Sequence, residues 1–528
     1  MLSVLLWLPV AVGLFGFVVP RRAIAPVAVA GSVAALAIAI GLVADFQLGT
    51  AGLQHAVDVS WIPGLGVRYS LGVDGLSVFL ILLTALLWAG ATVWSAFRAP
   101  EGRERVYFFM LALGETAALG AFLAQDLLLF VLFFDLMLIP FWFLIGAFGG
   151  ENRIAATTKM IVYTLVGSLL MLVAAIATAV LSADSVGHIS FSISDLRAHT
   201  LGSGSQEWIF LFFAAAFLIK MPAFLVHGWM PDAYRAAPLP VLALLSGVLS
   251  KVGAYGFLRI VLPLYPQATS HFQELILLIA LASILYGSVM AFTQTNVRLV
   301  AGYSSVAQLG FITLGIFSLR SDGATGSVLQ MVNHGLVVGA VFFIVAILWE
   351  RSGTEDLTRL GGMAFRAPVL AALFLIVALA TLAMPGSSNF TGEFYILLGT
   401  FQSKIVFAFV ASIGVVLAAY YSIRLFQRTM HNRLPEGGES REIGRRDALV
   451  MVPLVACIVA LALYPGLITK RADTSVESSV GAVTASNAVR GVYYNRSVGV
   501  ASKACAKGFE PGHGWIGYAP LKSVSVCP

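Results

Sequence analysis

Lys220 lies inside the apolar run Ile209 to Leu225, and Asp135, Lys251, His334 and Glu393 sit in four further runs of the same kind. A charge at the centre of a bilayer costs roughly 2.5–3.5 kcal/mol on insertion scales. A chain that keeps several of them is using them, and such a set of side chains can pass protons or small cations. Burial favours the neutral form of a lysine or a carboxylic acid, whereas an opposite charge close by favours the ionised form. A Lys–Asp pair inside a helix bundle therefore has two states, and Asp135 with Lys220 is the natural pair. While the partner stays close the lysine holds its proton, and when the partner moves or is neutralised the proton is released. Lys251 could receive that proton through ordered water. His334 continues the row with an imidazole that titrates near neutrality when unperturbed, and Glu393 is the last station. Tyr303, Ser304, Ser305 and Gln308 could hold bridging water.

Other residues in the same runs are open to plainer roles. His334 is as compatible with a structural hydrogen bond as with relay, and Glu393 and Lys251 could simply lock packing against polar neighbours. Glu115, in Leu113-Gly114-Glu115-Thr116, could satisfy a freed backbone group. Asp74 fits an N-cap, where a carboxylate accepts from unpaired amides. His227 and Asp232 suit either an access point for protons or a loop brace.

The elements that must position these residues follow from composition. The 528 residues are 59% hydrophobic and 11% charged, with a mean hydropathy of +0.91. Soluble domains carry about 25% charged residues, so this chain is built to face lipid. A spanning helix needs about 20 apolar residues. By that measure about fourteen segments lie near 1–20, 23–44, 75–97, 106–124, 127–149, 157–182, 208–226, 240–263, 275–292, 299–319, 326–349, 368–398, 403–427 and 447–469. The first lacks the basic start and small-residue cleavage site of a signal peptide. Strands are not expected, because a membrane barrel would show alternation throughout. The net charge of +6 does not point to nucleic acid. Loops after odd-numbered segments hold Arg21, Arg22, Arg98, Arg103, Arg105, Arg153, Lys159, Arg235, Arg298, Arg351, Arg359, Arg366 and a cluster from Arg428 to Arg446. Even-numbered loops hold only Arg68, Arg197, Arg320 and Lys404. That bias places the odd loops in the cytoplasm and both termini on the opposite side. Cys457, Cys505 and Cys527 have no metal-ligand spacing, and no glycine-rich nucleotide motif or iron–sulfur cysteine set is present.

Two segments are interrupted alike. The seventh contains Lys220-Met221-Pro222 and His227-Gly228-Trp229-Met230-Pro231-Asp232, and the twelfth contains Met384-Pro385-Gly386-Ser387-Ser388-Asn389-Phe390 and Gly392-Glu393. Proline removes a backbone donor and breaks the helical ladder. Broken helices in matching positions are the sequence sign of inverted repeats around a midplane site. The expected organisation is helices one to three in 1–105, a first five-helix repeat in 106–263, a second in 275–428, a cytoplasmic loop and last helix in 429–471, and an extramembrane, poorly ordered tail in 472–528.

The motifs LIKMPAFLVHGWMPDAYRAAP (218–238), LLSGVLSKVGAYGFLRIVLP (244–263), GYSSVAQLGFITLGIF (302–317), MVNHGL (331–336) and MPGSSNFTGEF (384–394) are carried in order. With YSLGVDGLSVFLILLTALL (69–87) and FFDLMLIPFWFLIGAFGG (133–150), they resemble subunit M of proton-pumping NADH–quinone oxidoreductase, the mitochondrial chain 4 counterpart. The resemblance covers everything before Ala472. It implies an all-α, polytopic antiporter-like subunit in the membrane arm of complex I of a bacterial inner membrane, with the sibling subunits L and N and the lipid bilayer as partners. NADH, FMN, iron–sulfur clusters and quinone would be handled by other subunits, with no cofactor or metal in this chain. It implies Lys220 as central lysine, Lys251 as connecting lysine, His334 as relay and Glu393 as terminal acid. Two departures stand out. The family usually has glutamate where this chain has Asp135, shorter by one carbon–carbon bond of about 1.5 Å, and Gln308 stands where some relatives carry histidine. A subunit of a multisubunit Na⁺/H⁺ antiporter, or of a proton-pumping hydrogenase or formate-linked complex, would share many of the same features.

Overall fold

The computed structural model describes residues 1–50, 52–433 and 440–505, with side chains as far as 487. By packing, the chain divides into Met1–Thr484, which holds every contact discussed below, and a second unit from Ala485. The fold is almost entirely helical. It begins with α1 (Leu2–Phe15) and α2 (Arg21–Asp45), followed by a β-hairpin of β1 (Gln54–Ile62) and β2 (Val67–Val73). Then come α3 (Val78–Ala96), α4 (Glu104–Leu123), α5 (Leu127–Leu136), α6 (Leu138–Phe148), α7 (Arg153–Val186), α8 (Ile193–Ala198), α9 (Ser203–Lys220) and α10 (Met230–Ala236). The eighth expected segment is one continuous helix in which α11 (Leu239–Leu244), α12 (Ser250–Gly256) and α13 (Leu262–Leu264) are joined by wide π turns at Leu245–Leu249 and Phe257–Val261. The chain continues through α14 (Pro266–His271), α15 (Gln273–Thr293), α16 (Val297–Phe317), α17 (Ser321–Ser352), α18 (Pro368–Thr381), α19 (Ser388–Ser403), α20 (Ile405–Met430), α21 (Arg445–Leu463) and α22 (Gly466–Cys505).

Among the described residues, eleven helices are long and apolar enough to cross a membrane, while Leu2–Phe15 and Pro368–Thr381 are shorter apolar helices. Their burial sorts them. α16, α17 and the α11–α13 helix are enclosed on all sides. On α7 the residues Val162, Leu165, Leu169, Val173, Ile176 and Val180 are exposed, as are Val406, Phe409, Ile413 and Val416 on α20. These outward apolar stripes need lipid or protein against them.

Both proline breaks are present, and their backbone groups find partners. α9 stops at Lys220, and because Pro222 has no N–H to offer, Ala223 N–H takes Leu218 O at 3.0 Å. The Trp229 indole donates to Ile219 O at 3.0 Å, and Ser283 Oγ accepts from Phe224 N–H at 2.9 Å. The second break separates α18 from α19, and Asn333 Nδ2 donates to Ser388 O at 2.6 Å where α19 begins. A third break was not expected. Pro140 leaves Leu136 O without its usual donor, and the fifth segment bends at Met137, two residues past Asp135.

Two expectations are corrected. Strands do occur: β1 and β2 pair antiparallel, with Asp58 opposite Ser70 and Ser60 opposite Arg68. Arg68 grips the Asp58 carboxylate with two hydrogen bonds of 2.8 and 2.7 Å and so holds that acid below its ordinary pKa. The hairpin escapes the membrane argument because it is the loop between two helices. The tail is also different from the expectation, since α22 is helical through Ala472 to Cys505. Ile468, Ala472, Val476, Val480 and Val483 are buried, which is one face of a helix at spacings of three and four. Ser475 Oγ accepts from Gly75 N–H at 3.1 Å, Thr325 Oγ1 bonds Asp473 at 3.2 Å, and Arg197 donates to Ser478 O at 2.5 Å. A Cβ at Gly75 would lie 1.9 Å from Arg471 O, so only glycine admits this approach. The expected disorder of residues 506–528 falls outside the described residues, as does Cys527.

At the arginine-rich end, Arg98 pairs with Glu350 and with Asp447 Oδ1, the latter at 2.6 Å, and stacks over Trp94 at 3.8 Å. This clasp joins the ends of α3, α17 and α21. Glu442 closes the same region by accepting from Val369 N–H at 2.9 Å and Leu370 N–H at 3.0 Å, which caps α18 from a distant loop. Burial would raise its pKa, but Ile443 N–H, these two N–H groups and the Arg351 charge together outweigh that and hold it below the ordinary glutamate value.

Candidate functional site

Lys251 is the best-defined ionisable group of the interior. It is fully buried, and its Nζ donates to Ser246 O at 2.6 Å, contacts Ser250 Oγ at 3.3 Å and meets His334 Nδ1 at 2.8 Å. The local cause is the π turn at Leu245–Leu249, immediately before Lys251. A wide turn loosens the regular backbone ladder, and Ser246 O accepts from side chains, Ser250 Oγ at 2.8 Å and Lys251 Nζ. The approach to His334 depends on a backbone crossing. A Cβ on Gly335 would stand 2.8 Å from Gly247 O, and one on Gly247 would stand 2.6 Å from Leu87 and 3.3 Å from Gly335 O. Small residues let two membrane helices touch along their backbones, which sets the Lys251 and His334 side chains side by side.

Glu393 forms a second cluster. Its Oε1 accepts from Gln308 Nε2 at 2.7 Å, and Gln308 Oε1 accepts from Gln330 Nε2 at 2.7 Å. All three residues are buried. Glu393 Oε2 has no direct partner. Ser305 belongs to the lysine side, with its Oγ 3.0 Å from Ser246 Oγ. Ser304 bonds its own helix at Ala301 O, 2.8 Å away.

Asp135 and Lys220 are less intimate than expected. Lys220 is buried and its Nζ stands 4.6 Å over the Phe134 ring. The two charges lie within electrostatic reach of each other, yet they form no ion pair within 4.0 Å, and Asp135 Oδ1 is buried without a partner, like Ser168 Oγ nearby in the bundle.

The remaining candidates lie outside these clusters. Asp232 pairs with Lys159 at 2.8 Å, a half-exposed brace between α7 and α10. His227 meets the Tyr286 hydroxyl at 3.2 Å. Asp74 accepts from Leu76 and Ser77 N–H at 3.1 and 3.2 Å, as a cap should, and also pairs with Arg259 at 2.8 Å. That pair was not foreseen, although Arg259 was visible as the lone arginine of its apolar run. Glu115 is buried with Oε1 unpaired, so it does not satisfy a freed backbone group through that oxygen. Gln330 was missed because a glutamine in an apolar helix carries no distinctive pattern. Among the described residues no group of three or more His, Cys, Asp or Glu could hold a metal ion. Cys457 is a free thiol.

The arrangement suits proton transfer: buried acids and bases on separate helices, joined by short hydrogen bonds and small polar gaps. Comparisons with known proteins place the chain by its sequence and fold. The NADH:quinone oxidoreductase/Mrp antiporter transmembrane family matches residues 124–418. NADH-quinone oxidoreductase subunit M of Rhodobacter capsulatus is 36% identical over 492 residues, covering 90% of this chain and 95% of the relative. A chain of respiratory complex I from Thermus thermophilus superposes with a TM-score of 0.85 at 32% identity, over 92% of this chain and 100% of that one. A chain of the Mrp complex from a Dietzia species shares the fold alone, with a TM-score of 0.78 at 19% identity over 91% of this chain and 52% of that one.

Proposed function

The chain belongs to the subunit M family of NADH–quinone oxidoreductases, and from that premise we propose how its interior moves protons. It is a proton-translocating, multi-pass membrane subunit of bacterial complex I, working with the other subunits of that assembly. Within it, Asp135 and Lys220 form the charge switch, Lys251 and His334 receive and hold the proton, and Glu393 passes it out. The observation that carries this assignment is the buried Lys251–His334 contact of 2.8 Å. Two basic groups cannot both hold a proton comfortably at that distance, so protonating one disfavours protonating the other, and a proton that arrives there is poised to move on.

The finer reading is of fourteen spans built from two inverted repeats, 106–263 and 275–428, flanked by 1–105 and 429–471. Odd loops face the cytoplasm, both termini lie outside it, and the tail from 472 is extramembrane. Subunits L and N are its neighbours. The redox work, with NADH, FMN, iron–sulfur clusters and quinone, belongs to partner subunits, and this chain has no redox centre of its own.

Two measurements test the proposal. The gently solubilised native complex should contain flavin and iron–sulfur subunits; hydrogenase subunits, or no redox subunit at all, would favour the antiporter or hydrogenase alternatives. Lys220→Ala should abolish pumping in membrane vesicles while the complex still assembles, and unchanged pumping would remove Lys220 from the path.

A further inference from the structure

One cavity of about 20 Å³ touches a member of each cluster, His334 and Gln308, and is lined also by Asn389, Tyr421 and Ser422 among mostly apolar side chains. That volume admits one water molecule, and a buried water needs two to four polar partners. The Tyr421 hydroxyl, Ser422 Oγ and both Oδ1 and Nδ2 of Asn389 are buried there without a direct protein partner. Gln308, which bonds Glu393 directly, is an amide. Its nitrogen only donates and its oxygen only accepts, so it holds the carboxylate in place but does not hand a proton along. A hydroxyl both donates and accepts. Tyr421 is buried and lines the cavity together with Gln308, and Asn389 lies one turn before Glu393 on the same buried face of α19.

We propose that the Tyr421 hydroxyl, with one water held by Asn389, is the relay between His334 and Glu393, bypassing Gln308. This rests on the reading of Lys251, His334 and Glu393 as proton carriers. The transfer balances without charge left on the ring. A proton leaves His334 for the cavity water and a water proton passes to the tyrosine oxygen; the tyrosine O–H proton then leaves for Glu393 Oε2 once the hydroxyl swings into hydrogen-bonding reach, since neither atom has a partner in the resting structure. Reorientation of the hydroxyl resets the path.

The test uses the whole complex in inverted membrane vesicles, with NADH oxidation and proton uptake read together for Tyr421→Phe and, alongside it, Lys251→Met. Tyr421→Phe should lower the protons moved per NADH at least twofold and raise the solvent deuterium isotope effect on turnover, which a mere packing defect would leave unchanged. Normal pumping in Tyr421→Phe with impaired pumping in Lys251→Met overturns the relay and leaves the wider reading standing. Normal pumping in both overturns the wider reading and the relay with it. Should Tyr421→Phe fail to assemble, Asn389→Leu decides, since it fills the cavity with an apolar side chain of similar size. The same loss supports the relay, and normal pumping overturns it.

Discussion

Replacing Lys251 with methionine should uncouple the machine without weakening it. The lysine head gives hydrogen bonds to Ser246 O, Ser250 Oγ and His334 Nδ1 at 2.6, 3.3 and 2.8 Å. On its removal Ser246 O keeps the Ser250 hydroxyl as donor at 2.8 Å, so the His334 nitrogen is the main group left without a partner. An orphaned buried acceptor costs roughly 1–3 kcal/mol. Against that stands the cost of holding an ammonium in an apolar bundle, roughly 2.5–3.5 kcal/mol on insertion scales. Methionine is unbranched and adaptable enough to fill the space. The difference runs from about 0.5 kcal/mol against the variant to about 2.5 kcal/mol in its favour. Thermal unfolding of the purified complex should therefore show an unchanged or raised midpoint, while proton uptake per NADH oxidised falls sharply. A wild-type pumping ratio would refute the proton-carrying role, and a midpoint lowered by many degrees would show that the lysine charge is a packing post.

Asp135→Glu should keep pumping and Asp135→Asn should impair it, because Asp135 Oδ1 is buried without a partner and only an ionisable group can respond to Lys220; vesicle pumping assays decide, and normal pumping in the Asn variant would assign a structural role. Gly75→Ala should loosen the start of α22, since the added carbon would lie 1.9 Å from Arg471 O. The backbone shift costs about 1–3 kcal/mol and should be visible as faster amide exchange over residues 466–484. Glu442→Gln should fray the first turn of α18 by about 1 kcal/mol. Because the folded carboxyl titrates below its ordinary value of 4.5, its contribution is complete above that pH and is lost as the pH falls through the folded pKa. Amide exchange at Val369 and Leu370 in wild type should accelerate in that acidic range and be pH-independent, once intrinsic exchange is allowed for, in the variant.

Much of the helical scaffold could be read from apolar run length, and both proline interruptions could be read from composition, because lipid imposes one backbone solution and proline removes one donor. The features that escaped obey weaker or non-local rules. Pro140 was visible, but its bend at Met137 depends on how neighbouring helices close on it. The hairpin is a short alternating stretch between long apolar runs. α22 carries an apolar face of alanine and valine in a serine-rich background, too faint to separate from a disordered tail without its docking partners Gly75, Thr325 and Arg197. The residues of the candidate pathway were evident from their types, but not their pairing. Sequence order suggested that Asp135 would touch Lys220 and left Lys251 to water, whereas the direct contact is between Lys251 and His334. That contact depends on the Gly247–Gly335 crossing and a π turn, neither of which leaves a periodic signature.

The crossing has a mechanical corollary. With carbonyl oxygen where a side chain would otherwise stand, the two helices have no cushion between them, and neither can slide past the other without first separating. Any displacement of one against the other is therefore felt at once as a change in the distance between the amine and the imidazole. The seam thus ties the spacing of the two helices to the geometry of the Lys251–His334 contact.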